Sequence, residues 1–172
     1  KGAMLTHDNL LSNGLVLHEY WQWVEGDVLL HALPIFHVHG LFVALHCALL
    51  NGSRIIFLDK FDVDRVVEEL PKSTVLMGVP TFYVRLLEAD GFDRDLCATM
   101  RLFISGSAPL LAETFTTFEA RTGQPILERY GMTEAGMITS NPYSGSRVPG
   151  TVGFALPGVT ARVADDKGRE IE

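Results

Sequence analysis

Five short runs rich in β-branched and other apolar residues punctuate this chain: Val28 to Ala32, Arg54 to Leu58, Thr74 to Gly78, Arg101 to Ser105 and Pro125 to Tyr130. Between them lie segments with apolar residues at helical spacing, Leu41 to Leu50, Asp62 to Leu70, Pro80 to Ala89 and Leu111 to Thr122, and a first helix is expected over Asp8 to Tyr20. Strand–helix–strand repetition leaves few folds open. Parallel neighbours need crossover connections, so the pattern predicts an α/β fold, a mostly parallel sheet flanked by helices. The stop signals agree: Gly52 and Gly123 follow helices as C-terminal caps, Asp62 can cap a helix start, and Pro80 suits a first helical turn.

Sheets of this kind bind ligands beyond the carboxyl ends of their strands. Two glycine-bearing segments fall there, Gly106-Ser107-Ala108-Pro109 and Gly131-Met132-Thr133-Glu134. A hydroxyl such as that of Thr133 can donate to a phosphate oxygen, and a neighbouring carboxylate such as that of Glu134 can hold a hard cation. A polar turn with a helix-capping threonine is the competing reading of that pair. From Ser140 to Gly150 the composition is that of a loop, and Gly153 to Ala164 reads as one or two strands around a Pro157-Gly158 turn.

The bulk numbers narrow the partners. The chain has 172 residues, 47% hydrophobic and 20% charged, enough for one domain with a sizeable core. A net charge of -7 argues against nucleic acid as a partner, which would call for a basic face. It does not argue against a nucleotide, because backbone N–H groups and a metal can make a phosphate site. Cys47 and Cys97 form neither a disulfide framework nor a zinc motif, so a reducing, cytoplasmic setting is expected. The longest apolar stretch, Leu41 to Leu50, is too short to span a membrane. The chain opens at Lys1, so its natural start is expected to lie upstream, where a targeting signal would be found.

Three segments carry a resemblance. Glu128-Arg129-Tyr130-Gly131-Met132-Thr133-Glu134 resembles the Y-G-x-T-E motif of the acyl-adenylate-forming enzymes, the superfamily of acyl-CoA synthetases. Leu33 to Gly40 (LPIFHVHG) resembles their P-x-F-H-x-x-G segment, and Lys1 to His7 resembles the tail of their phosphate loop. The order and the gaps match that family over essentially the whole chain. Within it, the runs Thr74 to Tyr83 and Met100 to Pro109 resemble the malonate-activating synthetases. The resemblance implies an incomplete AMP-binding α/β part over residues 1–150 and the beginning of a small β-barrel subdomain over 151–172.

It also implies a chemistry. A carboxylate attacks the α-phosphorus of ATP, giving an acyl-adenylate and pyrophosphate, and coenzyme A then takes the acyl group. Such chemistry needs positioning and charge neutralisation more than a protein nucleophile. By resemblance Thr133 contacts the α-phosphate and Glu134 holds Mg2+. Gly106, Ser107, Ala108 and Pro109 form one wall of the adenine pocket, while Glu128, Arg129, Tyr130, Gly131 and Met132 bring the other, with Tyr130 stacked on the base. His37 lies beside the acyl pocket and gates substrate entry, against the plainer reading of a hydrogen-bonded histidine at a strand end. A metal pair with His39 is disfavoured, since no third ligand is near in sequence.

The acid can be argued from charge. Malonate or methylmalonate carries a second carboxylate that cannot be buried unpaired. An arginine fork matches a carboxylate best. Arg85, on the helix opened by Pro80, is the first candidate, against a reading in which it pairs with Glu88 on a solvated face. Arg147 is the second candidate. Val38 and Met137 would set the pocket length and favour a short acyl group.

Two alternatives stand beside this reading: a ligase for a fatty or other short acid, and a non-catalytic nucleotide-binding fragment. The upstream part of the phosphate loop, the downstream ribose-binding aspartate and the C-terminal catalytic lysine of the family are not in these 172 residues. The chain alone is therefore expected to form no thioester, and its open sheet edges invite self-association. A nicotinamide-binding domain also alternates strands and helices, but against it no G-x-G-x-x-G follows the first strand.

Overall fold

The structure is a computed structural model and describes residues 2–171, so the reading of Lys1 as part of a phosphate loop lies outside the described residues. Seven strands form one sheet in the order β2-β1-β3-β4-β5-β6-β7. They are β1 Val28–His31, β2 Arg54–Phe57, β3 Val75–Gly78, β4 Leu102–Ser105, β5 Leu127–Met132, β6 Gly136–Ser140 and β7 Phe154–Ala155. Strands β1 to β5 are mutually parallel, whereas β6 and β7 join antiparallel. The parallel strands are the ones the β-branched runs predict. Burial explains the near-continuous apolar sequence of the central strands: every residue of β3 and β4 is buried, whereas the edge strand β2 has its two end residues exposed.

The helices are α1 His7–Tyr20, α2 His46–Leu50, α3 Val63–Glu69, α4 Pro80–Leu87 and α5 Ala112–Thr122. Helix α1 starts one residue earlier than its expected start, because Thr6 and Asn9 form a reciprocal capping box with bonds of 3.0 and 3.1 Å. Asp62 caps α3, Pro80 opens α4, and Gly123 ends α5 in the left-handed conformation at φ 74. The segment before α2 departs from expectation: His39–Leu45 forms a π-helix rather than the first turns of an α-helix. Such turns are rare and recur at functional sites.

The core is continuous from α1 across the sheet to α5. Tyr83, Phe92, Phe103 and Phe118 make an aromatic cluster with ring centroids 4.9 to 6.4 Å apart, mostly edge to face. The buried Tyr83 hydroxyl donates to the Ile104 carbonyl, tying α4 to β4. At the amino edge of the sheet Asp27 and Arg101 make a buried ion pair, and Thr74 donates to the same carboxylate.

Two expectations about the C-terminal half change. Strand β5 runs on through Gly131 and Met132, so the turn is Thr133 to Ala135, and β6 returns beside β5 where no strand is expected from sequence. The sheet also continues past residue 151, since β7 pairs with β6. Beyond β7 the further β pairing among the described residues is one bridge, Ala164 to Glu170.

Candidate functional site

Parallel strands point their carboxyl ends to one edge, and four segments gather there. They are the loop after β1 (residues 32–38), the start of α4 after β3, the Gly106–Pro109 loop after β4, and the β5–β6 hairpin. The register sets Gly78 beside Ser105 and Ser105 beside Glu128, so the β4 and β5 tips are neighbours.

A cleft of about 440 Å³ lies between those two tips. Ser107, Ala108 and Pro109 line one side, and Glu128, Arg129, Tyr130 and Gly131 the other, with Gly150 and Val152 closing it. Of the residues expected in one pocket, Ser107, Ala108, Pro109, Glu128, Arg129, Tyr130 and Gly131 line this cleft, Gly106, Met132 and Thr133 do not, and Gly150 and Val152 join it without a signal in the sequence. Tyr130 is 45% exposed, leaving its ring available to a flat ligand. The Glu128 carboxylate accepts the Gly150 N–H at 3.1 Å. Burial raises its pKa from the ordinary carboxylate value, and the Gly150 and Leu110 N–H groups offset part of that rise.

Arg129 is the unusual member. Its guanidinium is buried, and Nε and one terminal nitrogen have no hydrogen-bond partner among the described residues. Burial lowers its pKa to about 10. It lies directly against Gly106, where a Cβ would come within 2.4 Å of the guanidinium carbon. A side chain at 106 would therefore have to displace the buried guanidinium. A buried, unpartnered cation beside a cleft lined by apolar atoms and an aromatic ring is the electrostatic setting that an anionic, planar ligand completes.

A second cavity, of about 420 Å³, lies on the other side of the β5–β6 hairpin. Val38, Phe42 and Val43 line it from the π-helical segment, Glu134 to Met137 from the hairpin, and Asn9, Asn13 and Val16 from α1. Val38, Glu134 and Met137 therefore line one cavity, of mixed polar and apolar character, and Arg85 is not among its lining residues. The hairpin is held by a residue that sequence reasoning misses. Asn13 donates to the Met137 carbonyl at 2.9 Å and accepts the Met137 N–H at 3.0 Å. A lone asparagine on a helix carries no signal for a contact 124 residues away.

Thr133 and Glu134 occupy the exposed turn between the two cavities. Among the described residues no group of three or more His, Cys, Asp or Glu is arranged to hold a metal. Glu134 would act as a single carboxylate toward Mg2+, with phosphate oxygens supplying the remaining ligands. Magnesium sites on nucleotides are commonly built that way, so the residues fit.

His37 is exposed, and its Nδ1 accepts the His39 N–H at 3.1 Å, which fixes the ring at the mouth of the π-helix. It does not line the second cavity, whereas its neighbour Val38 does. Gly40, the last residue of that segment, packs so tightly that a Cβ would meet the Pro34 carbonyl at 2.3 Å.

The two candidate arginines part company. Arg85 lies exposed on α4 with its guanidinium 5.0 Å from the Phe61 ring centroid, and Phe61 stacks in turn on Phe82. It makes no ion pair with Glu88 or any other carboxylate among the described residues. A stacked, carboxylate-free guanidinium remains available to an acid. Arg147 is a correction. It donates to the carbonyls of Pro142, Tyr143 and Pro125, at 3.1, 2.9 and 2.5 Å. Pro125 precedes β5, at the end of the strand away from the cleft, so Arg147 braces the 140s loop and does not join the site.

Comparison with known proteins now has a site to explain. Residues 1–172 match the family model for AMP-binding enzymes. The mitochondrial malonate–CoA ligase of Mus musculus is 41% identical over 96% of this chain and 31% of its own length. The malonate–CoA ligase of Arabidopsis thaliana is 38% identical over 97% and 31%. The ATP-bound structure of MatB from Rhodopseudomonas palustris superposes with a TM-score of 0.98 at 58% identity, over all of this chain and 34% of that one. The chain thus spans about a third of the length of the relatives it matches. The chain belongs to the AMP-binding enzyme family.

Proposed function

We propose that this chain is the nucleotide- and acid-binding part of an AMP-forming acid–CoA ligase whose acid is malonate or methylmalonate. The observation that carries the proposal is the pair of cavities divided by the β5–β6 hairpin, with Thr133 and Glu134 on the turn between them. A nucleotide with its base between Tyr130 and the Ser107–Pro109 loop would send its phosphates toward that turn. An acid beside Val38 and Met137 would approach the same turn from the other side. ATP supplies the activating phosphoryl group, and Mg2+ on Glu134 would offset charge on it. Thr133 would donate to the α-phosphate, Arg129 would supply buried positive charge behind the base loop, and His37 would stand at the acid's entrance. Coenzyme A is the acyl acceptor.

The likeness to malonate–CoA ligases supports the choice of acid, as does a solved malonyl-CoA ligase complex with methylmalonyl-CoA and AMP, 37% identical with a TM-score of 0.84. Arg85, which makes no ion pair with a carboxylate among the described residues, is the cation proposed to meet the acid's second carboxylate. A long-chain fatty-acid–CoA ligase of Yersinia pestis is also similar, at 32% identity, and marks the competing substrate class. The complete reaction is proposed for the protein at its full length. The 172 residues alone are expected to bind nucleotide and release no thioester.

The test is malonyl-CoA formation by the full-length protein from malonate, ATP, Mg2+ and coenzyme A, with pyrophosphate released in step. Butyrate and a long-chain fatty acid serve as competitors. Malonate should be preferred by more than about tenfold in kcat/KM, the scale on which a missing charge partner is felt. Equal use of butyrate would remove the diacid from the proposal, and absence of pyrophosphate release with any acid would remove the ligase.

A further inference from the structure

His39 is unexplained by the proposed chemistry, yet it is among the most enclosed polar groups in the molecule. It is 1% exposed and opens the π-helix that follows the acid-side loop. Its Nδ1 lies 3.2 Å from the Ser107 hydroxyl oxygen, while Nε2 is buried without a hydrogen-bond partner among the described residues. A buried imidazole with one polar contact is costly, so that contact matters. Burial, Arg129, His37 and His31 all hold its pKa well below the ordinary histidine value, and the ring is neutral at neutral pH.

The partner is equally unusual. Ser107 has φ 68, in the left-handed region, and Gln22 is the one other non-glycine residue with positive φ among the described residues. Serine is not a residue that rests there by preference, and such strain persists only where the surroundings impose it. Two side chains from other segments do so: the Arg129 guanidinium, from β5, fills the space beneath Gly106, and the His39 ring, from the start of the π-helix, holds the Ser107 hydroxyl.

We propose that His39 is a positioning residue for nucleotide binding: from the acid-side segment it pins the Ser107 hydroxyl, and thereby keeps the base-binding loop in its left-handed conformation. The inference rests on the reading of the Ser107–Tyr130 cleft as the nucleotide site. Without the pin the loop relaxes, and the nucleotide must restore the strained backbone when it binds. Glycine at 107 adopts the conformation freely and has no need of the pin.

The experiment is a double-mutant cycle in the full-length protein, read by ATP affinity and by separate KM values for ATP and the acid. His39→Leu should weaken ATP binding and raise its KM by about tenfold while the KM of the acid stays within about twofold. His39→Asn, whose amide falls near the Nδ1 position, should recover most of the loss. In the Ser107→Gly background, whatever that substitution does by itself, His39→Leu should add no further penalty. Thermal unfolding of each variant reports folding independently. An equal His39→Leu penalty in both backgrounds, or no recovery with asparagine, overturns the inference while leaving the cleft's assignment intact. Failure of the unsubstituted protein to bind ATP overturns the assignment, and this inference with it.

Discussion

Gly106 and Arg85 are the two residues on which the account can be pressed hardest. A methyl group at 106 has to displace a guanidinium that is already buried. Gly106→Ala is expected to cost about 1–3 kcal/mol in stability, the usual range for overpacking, and to weaken ATP binding. Urea denaturation and nucleotide titration measure the two effects separately. Arg85→Ala should lower kcat/KM for malonate by about tenfold, the loss of one exposed charge partner, and leave butyrate almost unaffected. Arg85→Lys should recover part of the malonate activity, since the charge returns without the fork. Equal losses for both acids would place Arg85 in folding rather than in recognition. These residues differ in how far sequence could reveal them. The glycine-serine loop and the tyrosine of the second motif are legible because strand ends, turn residues and motif coincide. The spent state of Arg147 is invisible, because its partners are backbone carbonyls that any sequence supplies.

At the scale of elements, the five parallel strands and the flanking helices are legible, since buried parallel strands must be apolar throughout and crossovers must be amphipathic. Strand β6 is not. Its five residues, Gly-Met-Ile-Thr-Ser, are too short and too mixed to stand out from a loop, and it forms because β5 offers an open edge. The π-helix at His39 is equally hidden, for its pattern over Leu41 to Leu50 reads as an ordinary helix. What sets the hairpin in place is the Asn13 amide, which satisfies both backbone groups of Met137. Asn13→Ala is expected to cost about 1–3 kcal/mol by orphaning those groups, and Asn13→Asp should restore one bond of the two. Chemical denaturation of both variants checks the order: wild type, then aspartate, then alanine.

Across the whole molecule, the candidate ligand site lies at the carboxyl edge of the sheet and the Asp27–Arg101 pair at the amino edge. Asp27 makes the pH dependence explicit. Burial pushes its carboxyl up, but the Arg101 hydrogen bond, the Val24 N–H, the Thr74 hydroxyl and the Arg101 charge together hold it below the ordinary value. A depressed native pKa means that the unfolded chain takes up the proton first. The pair therefore stabilises the fold above the unfolded value of about 3.9, and that contribution fades as pH falls through the native value. Asp27→Asn should lower stability near neutrality, by about 3 kcal/mol where Arg101 is left uncompensated, and flatten the acid limb of the stability curve. The same chain is a third of the length of its relatives, so its turnover is a property to be measured in the protein at full length. The central claim concerns one place only, the cleft between the β4 and β5 tips. A crystal structure of the protein with ATP and Mg2+ tests it directly. The account predicts the adenine between Tyr130 and the Ser107–Pro109 loop, with phosphates at Thr133 and the metal on Glu134; a nucleotide seated away from that cleft would contradict it.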